Sequence, residues 1–226
     1  MSEALKFIKQ FLKNNYLLLI LLAVDFFLLV VHLIYGNTND FFNFDRERNL
    51  PTAWAATQCL LAAYFWFSWH RSLKNDKIIK RSQQIFVYLG TVIFLYIACD
   101  EFLQWHESFG DQLGSYLKSI DWGVMFWRHN PVFSWLLVFA VPLLFLGVFF
   151  LWTAWRLWNR RVFWQVVAAA SLFVLGAYGI EFLGSLSFNE VWQKIPYWYL
   201  VTVEEFAELL SISFLIGIFY KNKLEK

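Results

Sequence analysis

Long apolar runs separated by short polar connections dominate the chain. Six of them, at about 16–35, 52–70, 85–107, 131–156, 162–187 and 197–220, are long enough to cross roughly 30 Å of hydrocarbon at about 1.5 Å per residue. The pattern predicts an all-α integral membrane bundle of six transmembrane helices, forming a single domain over residues 1–226. The lead-in "MSEALKFIKQFLKNN" is basic and weakly amphipathic, and no small-residue cleavage site follows the first apolar run, so that run reads as a retained helix. The longest connection, 108–130, carries Leu113, Tyr116, Leu117, Ile120 and Met125 at a spacing that fits a short amphipathic helix on the outer interface.

Charge orients the bundle. Fourteen Lys and Arg residues fall in the N-terminus, the second and fourth loops and the C-terminal tail, whereas only Arg46, Arg48, Lys118, Arg128 and Lys194 fall in the alternate loops. Basic residues gather on the cytoplasmic side, so both termini are expected in the cytoplasm, with the protein spanning the plasma membrane. Composition agrees: 59% of residues are hydrophobic and 16% charged, against about 25% charged in soluble domains. The small net charge of +2 and the dispersed basic residues give no footprint for nucleic acid. Cys59 and Cys99 fall in separate predicted helices and define no redox compartment.

Once oriented, the carboxylates acquire depth. Asp100, Glu101, His106 and Glu107 of "CDEFLQWHESFG", Glu181 of the fifth helix, and Glu204, Glu205 and Glu208 of the sixth all fall in the outer half of the predicted bundle. Ionisable groups at such depth must face the bundle interior and find partners. At 100° per residue, Tyr96, Asp100, Gln104, Glu107 and Asp111 share one stripe of a continuous third helix, with Glu101 and His106 on its two flanks. Those flanking residues can join the stripe only if neighbouring helices wrap both sides or the helix ends before His106. On the first helix, Asp25 and His32 lie seven apart on one face, so Asp25 is placed to orient the histidine. Asn49 is placed to cap the second helix, and the stretch "YFWFSWH" reads as lipid-facing interfacial packing, with His70 marking the membrane boundary.

Four segments, "ERNLPTAW", "CDEFLQWHES", "GIEFLGS" and "VEEFAELLS", together resemble a group of uncharacterised bacterial multi-pass membrane proteins. Those proteins carry an E-x-N-aliphatic-P-T segment, then D-E-x4-H-E, a Gly-x-Glu helix and E-E-x-x-E. The resemblance falls on Glu47, Asn49, Pro51, Thr52, Asp100, Glu101, His106, Glu107, Glu181, Glu204, Glu205 and Glu208, in order over most of the chain. The sequence departs by placing Ala53 between Thr52 and Trp54. The resemblance implies a site and no particular reaction.

Clustered carboxylates with an imidazole are hard ligands, and several negative charges at close range call for a cation. The expected metal ligands are Asp100, His106, Glu107, Glu181, Glu204 and Glu208, holding a divalent ion such as iron, manganese, zinc or calcium. Glu101 and Glu205 are then the candidate catalytic bases for metal-assisted hydrolysis or oxidation of a lipid or other hydrophobic substrate. No Glu-x-x-His or His-x-x-x-His pair reinforces the metal reading. Whether the protein is an enzyme stays open at this point, beside a cation or proton-coupled transporter and an accessory subunit of a membrane complex. The apolar inner half weighs against the transporter.

Overall fold

The computed structural model describes residues 3–46, 48–74, 81–103, 105–119, 134–180, 183 and 195–224. They form helices α1 (Glu3–Tyr35), α2 (Leu50–Lys74), α3 (Arg81–Leu103), α4 (Trp105–Ser119), α5 (Ser134–Leu157), α6 (Arg160–Val174) and α7 (Tyr197–Leu224). A 3-10 turn, Asp40–Phe42, interrupts the α1–α2 loop, and α6 continues into a π-helical turn, Leu175–Ile180. The described residues contain no strand.

Among the described residues, three segments are long and apolar enough to cross a membrane, Asn15–Tyr35, Gln83–Leu103 and Arg160–Ile180, rather than the six expected. In α2 and α7 the shortfall has a physical reason. Helix α2 is diluted by Thr52, Thr57, Gln58, Ser68 and His70, and α7 carries Glu204, Glu205 and Glu208 in its first half. In α5 the described side chains make only a shorter apolar stretch, Phe145–Leu157. Outward-facing Phe26, Phe27, Val30, Leu33 and Ile34 on α1, and Tyr88, Val92 and Leu95 on α3, leave apolar surface that suits lipid better than water.

Helix α3 is described to Leu103 and α4 from Trp105, and Gln104 of the stripe drawn from Tyr96 to Asp111 lies outside the described residues. The polar content of α4, with Glu107, Asp111, Gln112 and Lys118, is too high for a hydrocarbon span. Its Trp105, Phe109 and Tyr116 fall within a sector of about 40° by helical geometry, and all three are exposed. Helix α4 covers the first part of the connection expected to hold an amphipathic helix, and Ile120 and Met125 of that expectation lie outside the described residues.

Helix α7 is the axis of the fold, with α1, α2, α6 and the π turn packed against it. Its buried face runs from Leu200 to Phe219 and includes Ser211 and Ser213. At the end farther from the α1–α2 loop, Trp66, Trp69 and His70 of α2 interlock with Phe86, Trp158 and Phe219 at ring separations of 4.3 to 6.0 Å. This corrects the lipid-facing reading of "YFWFSWH": three of its aromatic or imidazole side chains are core. His70 donates from Nδ1 to the Trp66 carbonyl at 2.8 Å and accepts at Nε2 from Trp158 Nε1 at 3.4 Å. Gly90 makes the nest possible, since a Cβ there would lie 2.6 Å from the Trp66 ring.

Candidate functional site

Asn49 fixes the loop end of α2. Its Oδ1 accepts from the Thr52 backbone N–H (3.1 Å) and hydroxyl (3.0 Å), which caps the helix. Its amide nitrogen donates to the carbonyls of Asp40, Asn43 and Arg46 and folds the preceding loop onto the helix start. Pro51 sits inside the first turn, where its missing N–H costs nothing. Arg48, at φ 58°, turns the chain into that cap. Glu47 lies outside the described residues.

His32 is buried where α1 meets α7. The Phe44 N–H donates to Nδ1 (3.2 Å), so the proton sits on Nε2 and goes to Thr202 Oγ1 at 2.9 Å. Thr202 in turn donates to the Trp198 carbonyl, and the ring is stacked between Phe44 and Trp198. With both nitrogens engaged, His32 is a structural histidine. It is not oriented by Asp25, contrary to the expectation from their shared face.

Asp25 instead ties together three helices. Its Oδ1 accepts from Trp54 Nε1 at 2.8 Å and Gln58 Nε2 at 2.7 Å, and its Oδ2 accepts from Ser213 Oγ at 2.6 Å. Asp25, Gln58 and Ser213 are each fully buried. Trp54 therefore still faces the bundle despite the intervening Ala53. Gln58 Nε2 also donates to Ser213 Oγ at 2.9 Å, whereas Gln58 Oε1 has no hydrogen-bond partner among the described residues. An orphaned buried amide oxygen costs about 1–3 kcal/mol.

That side chain also lines a small pocket with Ala55 and Cys59 of α2, Glu101 of α3, Phe173 of α6, and Glu205, Glu208, Leu209 and Ile212 of α7. Its free volume is about 10 Å³, room for one water or one ion and for no larger group. Close approach of α6 shapes one wall. A Cβ on Gly176 would lie 3.2 Å from the Glu204 carbonyl and 3.4 Å from Glu208 Cγ, so the π turn rests on the acidic turn of α7.

The structure thus brings Glu101, Glu205 and Glu208 to one pocket and leaves Asp100 and Glu204 off its lining. The side chains of His106 and Glu107, and all of Glu181, lie outside the described residues. Among the described residues no three His, Cys, Asp or Glu side chains stand close enough to hold one metal ion, which counts against a closed all-carboxylate cage. Cys59 and Cys99 are both free thiols. Sequence reasoning missed the Asp25–Gln58–Ser213 cluster. The available signal was a lone glutamine in the apolar stretch "AATQCLLAA", but its partners lie on helices 33 and 155 residues away.

No curated protein and no solved structure matches the chain. A family described as a domain of unknown function, DUF8692, matches residues 15–221, nearly the whole length, and the chain belongs to that family.

Proposed function

We propose that this is an integral membrane protein with six membrane-spanning helices and both termini in the cytoplasm, which binds a hard cation in the outer half of its bundle. The cation serves metal-dependent chemistry on a lipid or other hydrophobic substrate. One observation carries the cation reading: Glu101, Glu205 and Glu208 line a pocket with a buried amide oxygen that has no donor among the described residues. Carboxylate and carbonyl oxygens are the donor set of manganese, magnesium or calcium. Because the described carboxylates do not converge as a trio, one or two of them with the amide oxygen would hold the ion, and water would fill the remaining positions. His106, Glu107 and Glu181 are the further ligands that the sequence offers.

A resident ion is favoured over a transported one. A through-path would have to cross the end of the bundle where Trp66, Trp69, Phe86, Trp158 and Phe219 interlock, and none of those side chains offers a carboxylate to an ion. In the enzymatic reading a bound ion would supply polarisation of a substrate oxygen or of water, and whichever of Glu101 and Glu205 does not hold it would accept the proton.

Element analysis of the protein purified in detergent tests the proposal. The expected result is a stoichiometric divalent metal in the wild type that is lost in a Glu205→Gln, Glu208→Gln double variant of unchanged monodispersity. A metal-free wild type that takes up none on titration overturns the cation reading. Cation flux into proteoliposomes, abolished by the same variant, would instead make the ion cargo.

A further inference from the structure

We propose that Gln58 is a neutral oxygen ligand of the acidic pocket, with Asp25 as the residue that positions it. The proposal deepens the cation reading above and rests on it. Both hydrogens of the Gln58 amide are committed, one to Asp25 Oδ1 (2.7 Å) and one to Ser213 Oγ (2.9 Å). Turning the amide over would set its oxygen against the Asp25 carboxylate and discard both bonds, so one orientation is enforced. In that orientation Oε1 is the end left for the pocket that Gln58 itself lines.

A carbonyl oxygen beside Glu101, Glu205 and Glu208 is one more acceptor in a place already rich in acceptors. A cation satisfies the amide oxygen and takes its other ligands from the carboxylates beside it. Asp25 cannot serve as the ligand, because Trp54 and Gln58 use its Oδ1 and Ser213 uses its Oδ2. Its part is to hold the amide from behind, as outer carboxylates and carbonyls hold metal-ligating side chains in other sites. The occupant this predicts is a hard divalent cation that accepts mixed carboxylate and amide oxygens.

The test uses Mn²⁺ alone as the probe, titrated into the full-length protein in detergent and followed by loss of the free-ion EPR signal. Saturable binding is expected in the wild type, weakened about tenfold or more in both Glu208→Gln and Gln58→Met. A paired exchange, Asp25→Asn with Gln58→Glu, puts a carboxylate where the amide ligand stands and should tighten Mn²⁺ binding about tenfold. In that pair the amide introduced on α1 donates to one oxygen of the carboxylate introduced on α2 and leaves the other for the pocket, at the cost of the acceptor that Trp54 Nε1 now shares with Gln58.

If Glu208→Gln weakens Mn²⁺ binding while Gln58→Met stays within about twofold, Gln58 is no ligand, and this proposal falls while the cation reading stands. If the wild type binds no Mn²⁺, both fall. Should Gln58→Met fail to purify as a monodisperse protein, the paired exchange decides alone. Binding tightened about tenfold supports the proposal, and affinity within about twofold of the wild type in a monodisperse sample overturns it.

Discussion

Replacing Asp25 separates hydrogen bonding from charge. Asp25→Ala removes the acceptor for three donors, the part-buried Trp54 Nε1 and the fully buried Gln58 Nε2 and Ser213 Oγ, all now within 2.6 to 2.8 Å of the carboxylate. Gln58 and Ser213 keep each other at 2.9 Å, which leaves the indole N–H as the clear orphan and the other two under-satisfied. At about 1–3 kcal/mol for each buried donor left unpaired, the expected loss is about 4 kcal/mol. Asp25→Asn keeps the volume and one oxygen for Trp54 and Gln58, and Ser213 can turn its hydroxyl to accept from the new amide. Its expected loss is about 1 kcal/mol. For a chain of this size these figures correspond to falls in Tm of about 8–16 °C and about 2–4 °C. The assay is thermal unfolding in one detergent, followed by tryptophan emission and by the monodisperse fraction. Equal losses for the two variants would refute the argument, because they would mean that the negative charge itself holds the three helices together.

Two further variants test the scaffold. Gly90→Ala drives a methyl group to 2.6 Å from a tryptophan ring that neighbouring aromatics hold in place; overpacking should outweigh the gain in helix propensity and destabilise by about 2 kcal/mol, read as a lowered Tm. Asn49→Ala removes the α2 cap and three ties to the 40–46 loop, and should cost about 2 kcal/mol and speed proteolysis within that loop.

Much of the helical plan was legible because apolar runs and basic connections are local signals. The helix start at Asn49 follows from the same kind of information, since its side chain caps a backbone only three residues away. Glu205 and Glu208, three apart on one helix, line one pocket with Glu101, whereas one helical stripe favoured Asp100 over Glu101. Which flank of α3 meets α7 depends on neighbours that the periodicity of a single helix does not encode. The same reason hid Asp25: three residues from α2 and α7 make its surroundings, and none announces the others. "YFWFSWH" was misread because aromatic residues serve lipid belts and packed cores equally well.

On the proposed membrane reading, the Asp25 cluster also bears on how such a chain enters a bilayer. Two of its three donors, Trp54 and Gln58, lie only 29 and 33 residues downstream, on the next helix, whereas Ser213 lies 188 residues away. Synthesis runs from the N-terminus, so α1 and α2 are complete long before α7 exists. As a hairpin they can already shelter the carboxylate with an indole and an amide, and the hydroxyl of α7 arrives last. The order of residues along the chain lets the most deeply placed acid of α1 acquire its partners as the helices emerge.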